Sequence, residues 1–307
     1  MSTRTISISN TFLMSVLIIF WGSSFIVVKI ALNEGLTPVA TATFRFLLAG
    51  GLFLIALLLK KNRKRNYNLL IERKDTPALF VLALTGITIF FVAQYTGIEM
   101  ASPSIAAILV CLLSPILITV FSARMFKEHL TRKQILGAGI AAVGTFTIVT
   151  NGTFDFSSNM NFFLGSLILL STPVLWTVYT LLGKKIMEKY DPFLVVSYVT
   201  ILGGLCLIPF SLTEYSIHQI FTMSRTSWLA ILFLSITCSL LGYYIWFYVL
   251  RQVDAAITSS FLFAEPLVTI IFEIAFLEEN LSLFILIGGL LIFTGVYLVT
   301  TKQMQLT

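Results

Sequence analysis

Two stretches, Pro115 to Gly144 (PILITVFSARMFKEHLTRKQILGAGIAAVG) and Pro266 to Gly295 (PLVTIIFEIAFLEENLSLFILIGGLLIFTG), lie 151 positions apart and align without a gap. That shift sets Pro115 on Pro266, Phe121 on Phe272, Glu128 on Glu279, Leu130 on Leu281, Gly137 on Gly288 and Gly144 on Gly295. A helix-kinking proline, an acid in the following loop and two close-packing glycines recur in one order, which marks an internal duplication. Earlier in each half the offset grows slightly. Trp21 meets Trp176 and Lys29 meets Lys184 at 155, and Pro38 meets Pro192 at 154.

The 307 residues are 57% hydrophobic and only 11% charged, with a mean hydropathy of +0.96. Soluble domains average roughly a quarter charged, so no aqueous surface can be built from this chain. Its apolar runs reach the roughly 20 residues needed to cross a hydrocarbon layer about 30 Å thick. The net charge of +6 does not indicate nucleic acid, because the basic residues sit in short loops between apolar runs rather than on one folded face. Cys111, Cys206 and Cys238 lie inside apolar runs without metal-ligand spacing and read as small packing residues. The first run follows only one basic residue, Arg4, and extends to Leu32, too long for a signal-peptide core.

Apolar runs bounded by turn and charge signals predict ten membrane helices near 11–32, 38–59, 77–97, 103–124, 134–150, 162–182, 192–213, 227–250, 256–277 and 283–301. All are expected to be helical, since lipid cannot satisfy exposed backbone groups and the runs lack the alternation of membrane strands. Basic residues near span ends stay on the cytoplasmic side. With the N-terminus inside, seventeen of the twenty lysines and arginines fall in cytoplasmic segments, seven of them between Lys60 and Lys74. Arg225 alone falls outside, and Lys29 and Arg45 lie within spans. Both termini are therefore expected in the cytoplasm of a multi-pass cell-membrane protein.

Each copy holds an odd number of spans, so the second enters the bilayer from the opposite side. The fold expected is all-α, two inverted five-helix repeats over residues 1–151 and 152–307. Inverted repeats suit transport, because two halves that exchange conformations open one central site to each side in turn.

The chain resembles the drug/metabolite transporter superfamily in its ten-helix EamA branch. The residues that carry the resemblance are Trp21-Gly22-Ser23-Ser24, Phe44-Arg45-Phe46, and Ala101 to Pro115 leading into Lys127-Glu128-His129-Leu130-Thr131. In the second half they are Asp254-Ala255-Ala256, Glu265-Pro266-Leu267 and Glu278-Glu279-Asn280-Leu281-Ser282. The glycine that usually precedes the loop glutamate is Lys127 in one copy and Glu278 in the other. The resemblance implies efflux of amino acids or related metabolites and names no compound.

Charges deep in a span face a bundle interior or a wet cavity and are the first candidates for function. Glu265 lies about nine residues into the ninth span, roughly 13 Å deep. Thr258, Glu265, Thr269 and Glu273 recur at helical spacing on one flank. A carboxylate there can bind a substrate ammonium, take up a proton or serve only packing. Arg45, about seven residues below the outer end of the second span, suits either a structural pair with Glu273 or a substrate carboxylate. Lys29 reads mainly as an interfacial anchor, with a gating role as the alternative. Trp21, Gln94, Tyr95, Trp176, Tyr179 and Trp246 fall inside spans, lining a cavity or packing against lipid, and Tyr95 and Trp246 are paired by the 151 shift. Pro115 and Pro266 are candidate hinges or static kinks.

An intramembrane enzyme would need a nucleophile with its base, or metal ligands. His129 and His218 lie in loops on opposite sides, and neither an HExxH motif nor a Cys/His cluster occurs. No cofactor or metal is expected. A receptor or scaffold leaves Glu265 and Arg45 unexplained, and a channel or passive facilitator leaves the inversion unexplained. The expected partners are a small-molecule substrate and the lipid bilayer, with the chain a monomer or homodimer. Asn151-Gly152-Thr153 and Asn280-Leu281-Ser282 fit the glycosylation pattern, which carries no weight here.

Overall fold

A computed structural model describes residues 6–64, 67–101, 103–125, 131–150, 160–213, 216–277 and 283–301. The loop glutamates Glu128 and Glu279, His129 and both glycosylation-like triplets lie outside these residues. The described residues are overwhelmingly helical: α1 Ile8–Asn33, α2 Pro38–Arg63, α3 Arg73–Met100, α4 Pro103–Met125, α5 Arg132–Thr150, α6 Met160–Ile186, α7 Pro192–Thr213, α8 Arg225–Gln252, α9 over 255–277 and α10 Leu283–Thr301. Among the described residues, seven helices are long and apolar enough to cross a membrane. The helices overrun the predicted spans by a few residues because their charged ends, such as Lys60 to Arg63, continue the helix into water.

Local sequence sets the helix starts. Ser7, Thr37 and Ser224 cap α1, α2 and α8 by accepting the backbone N–H of Asn10, Ala40 and Ser227. Pro38 takes the first position of α2, where its missing N–H is harmless. Gly35, at φ 93°, occupies the left-handed conformation that turns α1 into α2.

Two helices carry a π-helical stretch, Leu84–Thr88 in α3 and Leu234–Leu241 in α8. The 151 shift lays the first inside the second. Such stretches are rare and lengthen the helical turn, releasing carbonyls from the regular ladder.

Packing repeats as well. α5 packs on α10 and α2 on α7, while α4 on α6 has its counterpart in α9 on α1, and α3 on α6 in α8 on α1. Glycines make the close approaches. A methyl at Gly137 would lie 2.7 Å from the Gly295 carbonyl, and one at Gly144 2.7 Å from the Gly288 carbonyl. Gly50 meets Ile201, and its counterpart Gly204 meets the backbone of Phe46 and Leu47.

Large apolar side chains such as Leu58, Val120, Leu290 and Phe293 point outward, whereas Thr41, Arg45, Gln94, Ser239, Thr258, Glu265 and Thr269 are buried. That arrangement suits a chain whose solvent is hydrocarbon.

The two ends of the bundle are tied differently. At one end Lys60 pairs with Asp191 at 2.7 Å while Tyr67 donates to the same carboxylate, and Lys189 pairs with Glu72 at 2.6 Å and Asp75 at 2.8 Å. At the other, the Gln219 side-chain amide donates to the Gly35 carbonyl at 2.9 Å and accepts from the Thr37 N–H at 3.0 Å.

Candidate functional site

Arg45 and Glu265 border one cavity near the middle of the bundle, together with Trp21, Gln94, Trp176 and Tyr243. The cavity volume is about 40 Å³, room for a few waters and well short of a metabolite.

Arg45 comes from α2 and is 2% exposed. Its Nε donates to Ser239 Oγ at 2.8 Å and its Nη1 to the Tyr95 hydroxyl at 2.5 Å. Phe46 and Phe91 cover the guanidinium, their ring centres 4.9 and 4.6 Å away. Of the two readings of Arg45, the ion pair with Glu273 is not among the contacts of Arg45 in the described residues. Glu273 is buried further along α9, and the partners of Arg45 are hydroxyls on α3 and α8.

Glu265 opens the last segment of α9 directly after a 3-10 turn, Phe261–Ala264, and is 4% exposed. Its Oε2 accepts the thiol of Cys111 at 3.4 Å, and its Oε1 has no partner among the described residues. Cys111, read from sequence as packing, thus touches the central acid and borders the cavity. Pro266 follows that turn, whereas Pro115 sits within a continuous α4.

A cluster of rings borders the same cavity as the two charges. Trp21, Trp176 and Trp246 form a triangle with centroids 5.4, 5.5 and 5.7 Å apart, and Tyr243 meets Trp21 at 5.8 Å. The π-helical stretches anchor it. Trp21 Nε1 donates to the Cys238 carbonyl at 3.0 Å, and the Tyr243 hydroxyl to the Gly86 carbonyl at 3.3 Å. The indole nitrogens of Trp176 and Trp246 and the Tyr179 hydroxyl are buried without partners among the described residues. Leaving such groups unsatisfied costs about 1–3 kcal/mol each.

Of the residues expected from sequence, Trp21, Arg45, Gln94, Trp176 and Glu265 border the cavity. Five expected contacts stand behind it instead. Tyr95 holds Arg45, Trp246 packs at a tilt against Trp21 and Trp176, and Tyr179 packs against Trp176 at 5.1 Å. Thr258 donates to the Asp254 carbonyl, and Thr269 ties α9 to α1 through the Gly22 carbonyl at 2.9 Å. Threonine in a helix readily turns its hydroxyl to a carbonyl in this way, so position on the polar flank did not decide its partner. Lys29 is half-buried toward the end of α1 and does not border the cavity. Sequence reading missed Ser239, Cys111, Phe90 and Phe91. Only the Phe90, Phe91, Gln94 and Tyr95 grouping, on one face of α3, offered a signal.

The model of the EamA-like transporter family matches residues 9–150 and again residues 163–301. The chain belongs to the EamA-like transporter family. It is a multi-pass membrane transporter of the drug/metabolite transporter superfamily. Among EamA-like relatives, an uncharacterized transporter of Archaeoglobus fulgidus is 32% identical over 293 residues, covering 95% of this chain and 98% of that one. A probable amino-acid metabolite efflux pump of Salmonella typhimurium is 25% identical over 299 residues, covering 94% and 93%. A solved crystal structure superposes with a TM-score of 0.76 over 97% of this chain and 98% of its own, at 19% identity, a likeness of fold.

Proposed function

We propose that this EamA-like transporter exports a small zwitterion, an amino acid or close relative, from the cytoplasm across the cell membrane. In this reading ten spans form two inverted halves, residues 1–151 and 152–307, which alternate around the central cavity with both termini cytoplasmic. One observation carries the substrate class: a buried guanidinium and a buried carboxylate border the same cavity, and neither Nη2 of the one nor Oε1 of the other makes a hydrogen bond among the described residues. A cargo carboxylate would complete Arg45 and a cargo ammonium would complete Glu265, with the aromatic rings accepting what lies between. The repeated family match, the paired π-helical stretches and the duplicated packing pattern support the two-half arrangement. The small cavity supports a cycle in which helices must part before cargo enters. The partnerless Glu265 oxygen also suits a proton, which would make the exchange proton-coupled.

The test is transport of a ¹⁴C-labelled mixture of the protein amino acids into vesicles holding purified protein. Glu265→Gln is expected to abolish uptake while the protein still folds and inserts. Full activity of that variant would remove Glu265 from the site. Acceleration by unlabelled amino acids on the far side is expected of alternating access and would be missing from a passive channel. Reporter fusions in the 60–74 and 278–282 segments are expected on opposite faces of the membrane, and finding both on one face would end the inverted reading.

A further inference from the structure

The π-helical stretch of α8 does something that its first-half counterpart does not. Thr88 in α3 and Ser239 in α8 are related by the 151 shift, and both are fully buried. The Thr88 hydroxyl donates to the Gly203 carbonyl of α7 at 3.1 Å, a simple tie between helices. Ser239 accepts instead from Arg45 Nε, and four residues earlier Ser235 donates to the Arg45 backbone carbonyl at 3.0 Å. The counterpart of Arg45 at the 154 offset is Val199, so the first-half stretch has no cation to hold.

A guanidinium has five N–H donors in a rigid fork on a long flexible stem. Ser239 takes the donor on Nε, Tyr95 takes one on Nη1, and Phe46 and Phe91 flank the plane. Nη2 makes no hydrogen bond among the described residues and is left for the cavity that Arg45 borders. Holding a flexible side chain in its bound geometry before the ligand arrives lowers the ordering cost of binding.

We propose that Ser239 and Tyr95 are positioning residues that lock the Arg45 guanidinium so that its Nη2 edge receives a carboxylate. The proposal rests on the reading of Arg45 as the carboxylate site. Removing the Ser239 hydroxyl leaves Nε–H buried without an acceptor and frees the fork to turn.

Two measurements test it. In vesicle uptake of the ¹⁴C amino-acid mixture, Ser239→Ala and Tyr95→Phe are expected to raise the half-saturating concentration about tenfold and to leave the maximal rate within about twofold. Ser239→Thr, which keeps the hydroxyl, is expected to restore it. In an Arg45→Lys background, which lacks the fork, Ser239→Ala is expected to have no further effect. A role in folding alone would instead move Ser239→Ala equally in both backgrounds, and that result would overturn the proposal. The second measurement uses acetate alone, as the smallest carboxylate, and follows thermal stabilisation of the purified protein against a chloride control. Wild type is expected to respond at about tenfold lower acetate than Ser239→Ala. Equal responses, or none from wild type, would overturn the positioning role. A wild type that answers acetate but carries none of the mixture would remove the amino-acid reading and leave the positioning role standing.

Discussion

Among the described residues Glu265 is held by a single weak donor, the Cys111 thiol, and that contact makes Cys111 the most informative substitution beside it. Cys111→Ala leaves both carboxylate oxygens unpartnered in a buried setting, a change worth about 1–3 kcal/mol. The thermal midpoint of the purified protein should fall, and Cys111→Ser, which keeps a donor at the same place, should recover most of it. Equal midpoints for the alanine and serine variants would show that the thiol does not support Glu265. At this scale the sequence was half readable. Depth in an apolar run pointed to Glu265 and Arg45, because hydrocarbon makes a buried charge conspicuous. Their partners were not readable. Arg45 and Ser239 are 194 positions apart, and a serine within an apolar helix looks the same whether it bonds its own turn or a distant guanidinium.

The helices themselves were legible within a few residues, because length and uniform apolarity fix them. The π-helical stretches of α3 and α8 were not, since no proline or glycine pattern announces an added residue in a turn. Glycines recurring at the 151 shift did foretell close packing, and α5 against α10 shows where. Gly144→Leu would drive a side chain into the Gly288 carbonyl and Leu291, and overpacking of this kind costs about 1–3 kcal/mol. Gly139 on the same helix has no atom within 4 Å of an added carbon. Thermal unfolding should therefore separate the two, with Gly144→Leu melting several degrees lower and Gly139→Leu unchanged. If both melt alike, the glycine contact does not hold these helices together.

Across the whole molecule, the bundle is clasped at one end by charges and at the other by an amide. Hydrogen bonds from Lys189 and Lys74 hold the Glu72 carboxyl below its ordinary range. At Asp191 partial burial pushes upward, but the bonds from Lys60 and Tyr67 prevail and the net shift is downward. Groups lowered in the folded state stabilise it fully above the ordinary carboxylate values, near 4, and lose that contribution as pH falls through their lowered values. Lys189 is shifted upward by its hydrogen bonds to Asp75 and Glu72, so its share lasts through neutral pH and fades only above the ordinary lysine range. Melting curves from pH 7 to pH 3 should accordingly show an acid-labile part below about pH 4 that Asp191→Asn reduces. Coincident curves for wild type and variant would dismiss the clasp as a stabilising feature.

Arg45 stands in the first half and Glu265 in the second, and their counterparts are the neutral Val199 and Ser114. A zwitterion lodged between them would act as a rivet at the cavity, adding to the charged bonds that Lys60–Asp191 and Lys189–Glu72 make between the halves at one end. The loaded carrier and the bare one would then differ in how readily they rearrange, and swapping one passenger for another should outpace the return trip made without any.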